Sequence, residues 1–246
     1  MRRFLRVCFH VACFAYAAPL TIVYELYFLV LLGVFLLLRR GSLEDAWRLH
    51  NWRFGAYMIR LFWPMIRVRR RGLEHVPSDV PVMVVANHRS FFDIFFFGLV
   101  PRRNITTLVR SWPFRLPVLG WFMRAAGYVD IERLSFDDVV ATVERLAARG
   151  VSSLCFPEGH RSPDGRLQRF RSGAFRMAAA CNLPVVPVCM TGTEQLFKPG
   201  CCSPIKPVHV DIEIMPAVNP ASFPCEHRAL KLRRHVERAF RLRLGE

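Results

Sequence analysis

The chain has 246 residues, a net charge of +16, and 52% hydrophobic residues. That length suits one large α/β domain or two small ones with a real core, and a sequence so rich in apolar residues is no disordered tail. A chain both basic and apolar suits an anionic membrane surface at least as well as nucleic acid, and of its 35 basic residues only Lys198, Lys206 and Lys231 are lysines.

The N-terminus reads Arg2, Arg3, Arg6, then a 28-residue apolar stretch from Val11 to Leu38 broken by Pro19 and Glu25, then Arg39-Arg40. About 20 apolar residues span a bilayer as a helix. Pro19 is expected to kink or divide the segment. A cleaved signal peptide fits poorly, because the apolar part is long and ends in arginines rather than small residues. A spanning helix, a kinked anchor staying on one face, and a buried core helix remain open. Arginine at both ends favours the one-faced anchor, since positive charge gathers on the cytoplasmic side. Residues 42–68 then place Trp47, Phe54, Met58 and Phe62 at helical spacing among arginines. That pattern fits a helix lying among lipid headgroups and equally an amphipathic helix packed on a domain. Residues 1–70 are therefore read as a membrane-associating helical part and 71–246 as the folded domain.

In the domain, Val80–Ala86 is a short β-branched run that reads as a buried strand, followed by a helix over Phe91–Val100. Ile105–Val109 and Tyr128–Ile131 are further strand candidates. Ser135 and Asp138 have capping-box spacing ahead of an apolar face of Val139, Val140, Val143, Leu146 and Ala147, and Gly150 ends that helix. Val151–Phe156 reads as a strand, Ser172–Cys181 as a helix and Val185–Met190 as a strand. Val208 to Ile214 alternates apolar with polar residues, a half-exposed strand, and Leu232, Val236, Ala239 and Phe240 share one face of a C-terminal arginine-rich helix. Strands alternating with helices predict an α/β fold with a mostly parallel sheet flanked by helices. The eight cysteines include no Cys-x-x-Cys and no zinc spacing; Cys155, Cys181 and Cys189 sit beside apolar residues, and Cys201-Cys202 is an adjacent pair in a proline-rich stretch. This usage favours a reducing, cytosol-facing location and no metal site.

Active sites in such sheets lie at the C-terminal strand ends. After the first strand comes Asn87-His88-Arg89-Ser90-Phe91-Phe92-Asp93. His88 and Asp93 are about 140° apart on a continuous helix, so they meet only if His88 is on the loop and Asp93 in the first helical turn. A carboxylate there fixes the imidazole tautomer, and the imidazole takes a proton from an alcohol. Asn87 is placed to hold the turn. Ser90 is a conceivable nucleophile, although no G-x-S-x-G elbow surrounds it. After a later strand comes Phe156-Pro157-Glu158-Gly159-His160-Arg161-Ser162, in which Gly159 allows close backbone approach and Arg161 offers a planar fork suited to phosphate. Arg133 follows another strand in Gly127-Tyr128-Val129-Asp130-Ile131-Glu132-Arg133. Taken singly, a His near an Asp is more often structural, and Arg133 and Arg161 more often surface residues.

Together these pieces resemble the glycerolipid acyltransferase family, whose best-known members are the 1-acylglycerol-3-phosphate acyltransferases. The family motif N-H-x-x-x-x-D matches Asn87-His88 through Asp93, G-x-x-F-I-x-R matches Gly127 to Arg133, F-P-E-G-T-R-S matches Phe156 to Ser162, and a V-P-V strand matches Val186-Pro187-Val188. The order is the family's, and the likeness covers about residues 75–215. Two departures stand out: Asp130 replaces a Phe and His160 a Thr. The resemblance implies an O-acyltransferase in phospholipid biosynthesis. His88 would be the general base, Asp93 its orienting carboxylate, and Arg133, Glu158, Gly159 and Arg161 the binders of glycerol phosphate. Acyl-CoA or acyl-carrier protein would be co-substrate, with no other cofactor. The partners implied are membrane lipids rather than nucleic acid, at the cytoplasmic face of the inner (plasma) membrane. Acceptors such as a lyso-aminolipid, and a membrane-bound lipid hydrolase using Ser90, stay open beside it.

Overall fold

The computed structural model describes residues 2–38, 41–196 and 207–246; the Arg39-Arg40 and Cys201-Cys202 pairs and the side chains of Arg2, Arg3 and Arg6 lie outside the described residues. In chain order the elements are α1 (Arg2–Leu37), α2 (Leu43–Leu61), β1 (Ile66–Arg71), β2 (Met83–Ala86), α3 (Asp93–Phe96), β3 (Ile105–Val109), α4 (Ser111–Phe114), α5 (Pro117–Ala125), β4 (Val129–Asp130), α6 (Phe136–Ala148), β5 (Ser152–Cys155), α7 (Gly173–Ala180), β6 (Val185–Thr191), β7 (Val208–Ile214) and α8 (Arg228–Leu244). The sheet runs β1-β7-β6-β2-β5-β3-β4, and among the described residues only the β6–β7 strand pairing is antiparallel. The expected mostly parallel α/β architecture is what forms.

β2 lies at the centre and is buried along its length. Met83 and Val85 enter one core with α6, α7 and α8, through Val143, Phe175, Val236 and Phe240. Val84 and Ala86 enter the opposite core with α2 and α3, through Ile59, Phe92 and Phe96. A strand buried on both faces has no polar alternation to show, which is why VPVMVVA reads as one apolar run. The Ser135 cap forms as its spacing predicts: its hydroxyl accepts from the Asp138 amide at 3.1 Å.

Three outcomes in the N-terminal part decide or correct the sequence reading. Pro19 does not divide α1, which continues through it as one element. The segment Val11–Leu37, 27 residues, is long and apolar enough to cross a membrane. Its one charged residue, Glu25, turns toward α2, where Oε2 lies 3.3 Å from Nε2 of buried His50. Second, α2 is a packed helix of the domain. Gly55 and Gly98 let two backbones meet: a Cβ on Gly55 would stand 2.6 Å from Phe95 O, and one on Gly98 2.2 Å from Ala56 N. Arg48, wholly buried, ties α2 to the loops through Asn104 Oδ1 and the Ala126 carbonyl. Third, the helical reading to residue 68 and the boundary at 70/71 give way to β1, which crosses that boundary. Ile66 to Arg71 pairs in parallel with Val208 to Glu213. Its Ile-Arg-Val-Arg-Arg-Arg sequence reads as a helix flank because an edge strand with arginines turned to solvent carries almost no apolar signature. The helix expected over Phe91–Val100 is a single α-turn from Asp93 to Phe96, followed by a 3-10 turn at Phe97–Leu99.

Candidate active site

The parallel strands β2, β5, β3 and β4 end on the same edge of the sheet, so the segments that follow them converge. His88 sits on the loop after β2 and Asp93 at the start of α3, the one arrangement in which residues five apart can meet. His88 Nδ1 lies 2.8 Å from Asp93 Oδ2. The same oxygen accepts from the amides of Arg89 (2.7 Å) and Ser90 (2.8 Å). Asp93 is fully buried and its other oxygen, Oδ1, has no hydrogen-bond partner among the described residues. A carboxylate beside the imidazole makes Nδ1 the protonated nitrogen and leaves Nε2 as base. The ring stacks on Phe156, centroids 4.1 Å apart, and its side chain stays 20% exposed.

Three further contacts fix the loop. Asn87 extends β2 by one rung: Nδ2 donates to the Met190 carbonyl at 2.8 Å and Oδ1 accepts from the Met190 amide at 2.7 Å. Glu158, 1% exposed, bridges two segments: Oε1 accepts from the His88 amide at 2.7 Å and Oε2 from the Gln168 amide at 2.9 Å. Burial holds its carboxyl above the ordinary glutamate range, against the pull of those two amides. The Ser162 amide donates to the His88 carbonyl at 2.8 Å, so the loop after β5 clasps the loop after β2.

A cavity of about 1460 Å³ opens over this corner. His88, Ser90, Gly159, His160 and Arg161 line one part; Ile105, Leu108, Val118, Phe122 and Met123 give it an apolar interior. Asp93 and Glu158 lie behind the lining. The candidate residues therefore fall into three groups. His88, Gly159 and Arg161 face one cavity, with the Arg161 guanidinium 5.9 Å from the Phe91 ring centroid. Asp93 and Glu158 support it from below. Arg133 stands apart, exposed on the turn after β4 and outside the cavity lining. Asp130 does not pair with Arg133: it accepts from the Ser111 hydroxyl at 2.7 Å, while Glu132 takes Arg110 at 2.6 Å. Ser90 Oγ accepts from the Phe92 amide at 3.2 Å, a turn contact rather than a nucleophile's link to a base. Cys155 and Cys189, each pushed by burial up to about 12, are inert as thiols.

Three contributors escape a reading of motifs. Gly159 has φ +78°, and a Cβ there would stand 2.9 Å from Arg171 Nε, so Arg171 lies across the glycine. Arg89 Nη2 donates to Glu246 Oε1 at 2.9 Å, and Glu246 Oε2 accepts from the Leu167 amide at 2.7 Å, which brings the end of α8 to the histidine loop. Gln168 lies ten residues from the glutamate it donates to. None has a short-range spacing to announce it.

The chain belongs to the acyltransferase family, whose model matches residues 67–191 and so includes the His88, Gly127 and Phe156 segments. Among curated relatives, the chloroplastic 1-acyl-sn-glycerol-3-phosphate acyltransferase of Brassica napus is 37% identical over 142 residues, 56% of this chain and 41% of that protein. One from Chlamydomonas reinhardtii is 36% identical over 179 residues, 68% of this chain and 53% of that protein. The chain thus spans about two-fifths to one-half of the length of these relatives. The crystal structure of the 1-acyl-sn-glycerophosphate acyltransferase of Thermotoga maritima superposes with a TM-score of 0.73 at 24% identity, covering 98% of this chain and 96% of that one. That likeness establishes the fold.

Proposed function

We propose that this protein moves a fatty acyl group from acyl-CoA or acyl-carrier protein to the free hydroxyl of a lysophospholipid, 1-acylglycerol-3-phosphate above all, giving phosphatidic acid at the cytoplasmic face of a membrane. The observation that carries the proposal is the His88–Asp93 pair, held by backbone amides at the edge of a large apolar cavity. A lipid hydroxyl is too weak an acid to attack unaided. His88 Nε2 takes its proton as the oxygen bonds to the thioester carbonyl carbon, and Asp93 stabilises the imidazolium that forms. The tetrahedral adduct then collapses, breaking the carbon–sulfur bond, and the departing thiolate takes the proton back from His88. Oxygen has replaced sulfur on the acyl carbon, the base is restored, and no acyl-enzyme intervenes. Gly159 lets the acceptor phosphate approach the backbone closely, and Arg161 supplies guanidinium donors for it. Glu158 serves from behind as a positioning residue through the His88 amide. The names of the relatives point to the same acceptor.

The test is to incubate the purified membrane-bound protein with labelled acyl-CoA, then acyl-carrier protein, and a panel of lyso-lipids. Labelled phosphatidic acid is the expected product. Free fatty acid formed without an acceptor, or a better rate with a phosphate-free lyso-lipid, overturns the assignment.

A further inference from the structure

Beyond α1, seven of the exposed large apolar side chains fall within one stretch of chain, between residues 112 and 134. Trp112, Leu116, Val118, Leu119 and Trp121 stand out from α4 and α5, with Val118 71% and Trp121 51% exposed, and Ile131 and Leu134 follow on the turn after β4. The side of α5 turned inward is Gly120 and Met123, both buried. A Cβ on Gly120 would stand 2.1 Å from the Phe114 carbonyl, so α4 and α5 form one tight hairpin that presents its apolar residues outward. A contiguous apolar face of this kind marks a partner surface.

Three observations say what covers it. The face continues into α1: Trp121 packs edge-on against Trp47 at 4.9 Å, and Trp47 against Phe28 of α1 at 4.8 Å. It is flanked by exposed arginines, of which the Arg115 and Arg133 side chains make no hydrogen bond or ion pair among the described residues. Trp112, Val118, Leu119 and Ile131 also line the cavity that holds His88, so the same side chains form its wall and its outer surface. Aromatic and aliphatic residues ringed by arginine are the composition of an element lying in the boundary between headgroups and acyl chains.

We infer that the α4–α5 hairpin and the turn after β4 form a second membrane-contacting element, seated in an anionic bilayer beside α1, and that acyl chains pass sideways between bilayer and cavity across Trp112, Val118, Leu119 and Ile131. Arg133 then meets lipid phosphates at the rim. The membrane contact stands on the surface alone; the passage of acyl chains rests on the acyl-transfer proposal.

The experiment uses the full chain in phosphatidylglycerol-containing vesicles, with and without phospholipids brominated on their acyl chains. The emission that Trp112→Phe removes is expected to be quenched by bromolipid and shielded from aqueous iodide. Quenching by iodide and not by bromolipid places the face in water and overturns the inference. Quenching by neither means that protein covers the face, which also overturns it. A double variant, Leu116→Asp with Leu134→Asp, changes two residues outside the cavity. Its rate on vesicle-borne acceptor should fall about tenfold or more, because carboxylates are driven out of the acyl region. Its rate on an acceptor dispersed as monomers should hold, and that rate also reports the fold. Equal rates of variant and wild type on vesicles count against the inference. If wild type transfers no acyl group at all, the transfer proposal fails while the quenching result still decides the membrane contact.

Discussion

At the ends of β2 and β5, Asp93 and Glu158 are buried and most of their bonds run to the backbone. At the end of β4, Asp130 and Glu132 lie nearer the surface and bond mainly to the side chains of Ser111 and Arg110. The first corner is preorganised: a carboxylate gripped by amides cannot follow a side chain that moves, so His88 keeps its orientation whether or not a ligand is present. The second is a rim of exposed arginine and apolar side chains, with room to adapt to a mobile, charged lipid. The acyl-transfer proposal puts chemistry at the first and contact at the second.

The largest test of this division is His88→Ala. It should lower acyl transfer by about a hundred- to ten-thousandfold while membrane sedimentation stays unchanged; an active variant removes the base from the mechanism. Asp93→Asn comes next. It keeps the shape of the turn but loses the charge that selects the tautomer, and kcat should drop roughly a hundredfold or more with little change in KM. An unchanged kcat would make Asp93 a turn residue only. The two arginines separate the regions directly. An Arg–phosphate contact is worth about 1.5–3 kcal/mol, so Arg161→Ala should raise the acceptor KM roughly tenfold or more and leave the donor KM nearly fixed. Arg133→Ala should shift it only about twofold with monomeric acceptor. The reverse order would move the phosphate site to the rim. Ser90→Ala should stay within about threefold of wild type, since it loses one neutral turn contact; its inactivation would revive the hydrolase reading. The smallest effect is a slope. Glu158's folded carboxyl is raised above 4.5, so its ionisation opposes folding. Its contribution is full below that value and declines as pH rises through it. Melting curves of Glu158→Gln should show a flatter decline above pH 4.5 than wild type; a parallel decline would mean the amides offset the burial.

Much of the fold is legible in the sequence because β2, β3, β6 and β7 carry β-branched residues, β5 lies in the short run Val151–Phe156 and α6 carries its cap. β1 is not, because its arginines hide the strand. His88 and Asp93 are legible because their separation admits a single local geometry. Glu158 is visible as a motif residue, but its partners, the amides of His88 and Gln168, are fixed by tertiary approach and leave no spacing to read. Arg133 and Arg161 look equivalent in sequence, each an arginine just past a strand. They diverge only because the loop after β5 folds over the histidine and the turn after β4 points away.

The Asn87 side chain behaves as a borrowed peptide group. It gives one hydrogen bond to Met190 and takes one back, while Met190 also pairs with Ile212 across β6 and β7. The polypeptide has already left the sheet at that point, yet the ladder continues one rung further. Breaking that rung leaves the buried amide and carbonyl of Met190 without their partner. A motion that displaces the His88 loop therefore gives up two hydrogen bonds to a buried strand, unlike the frequent motions of a surface loop. Aspartate lacks the donor for this rung and glutamine overreaches it, so His88 keeps time with the core only while an asparagine precedes it.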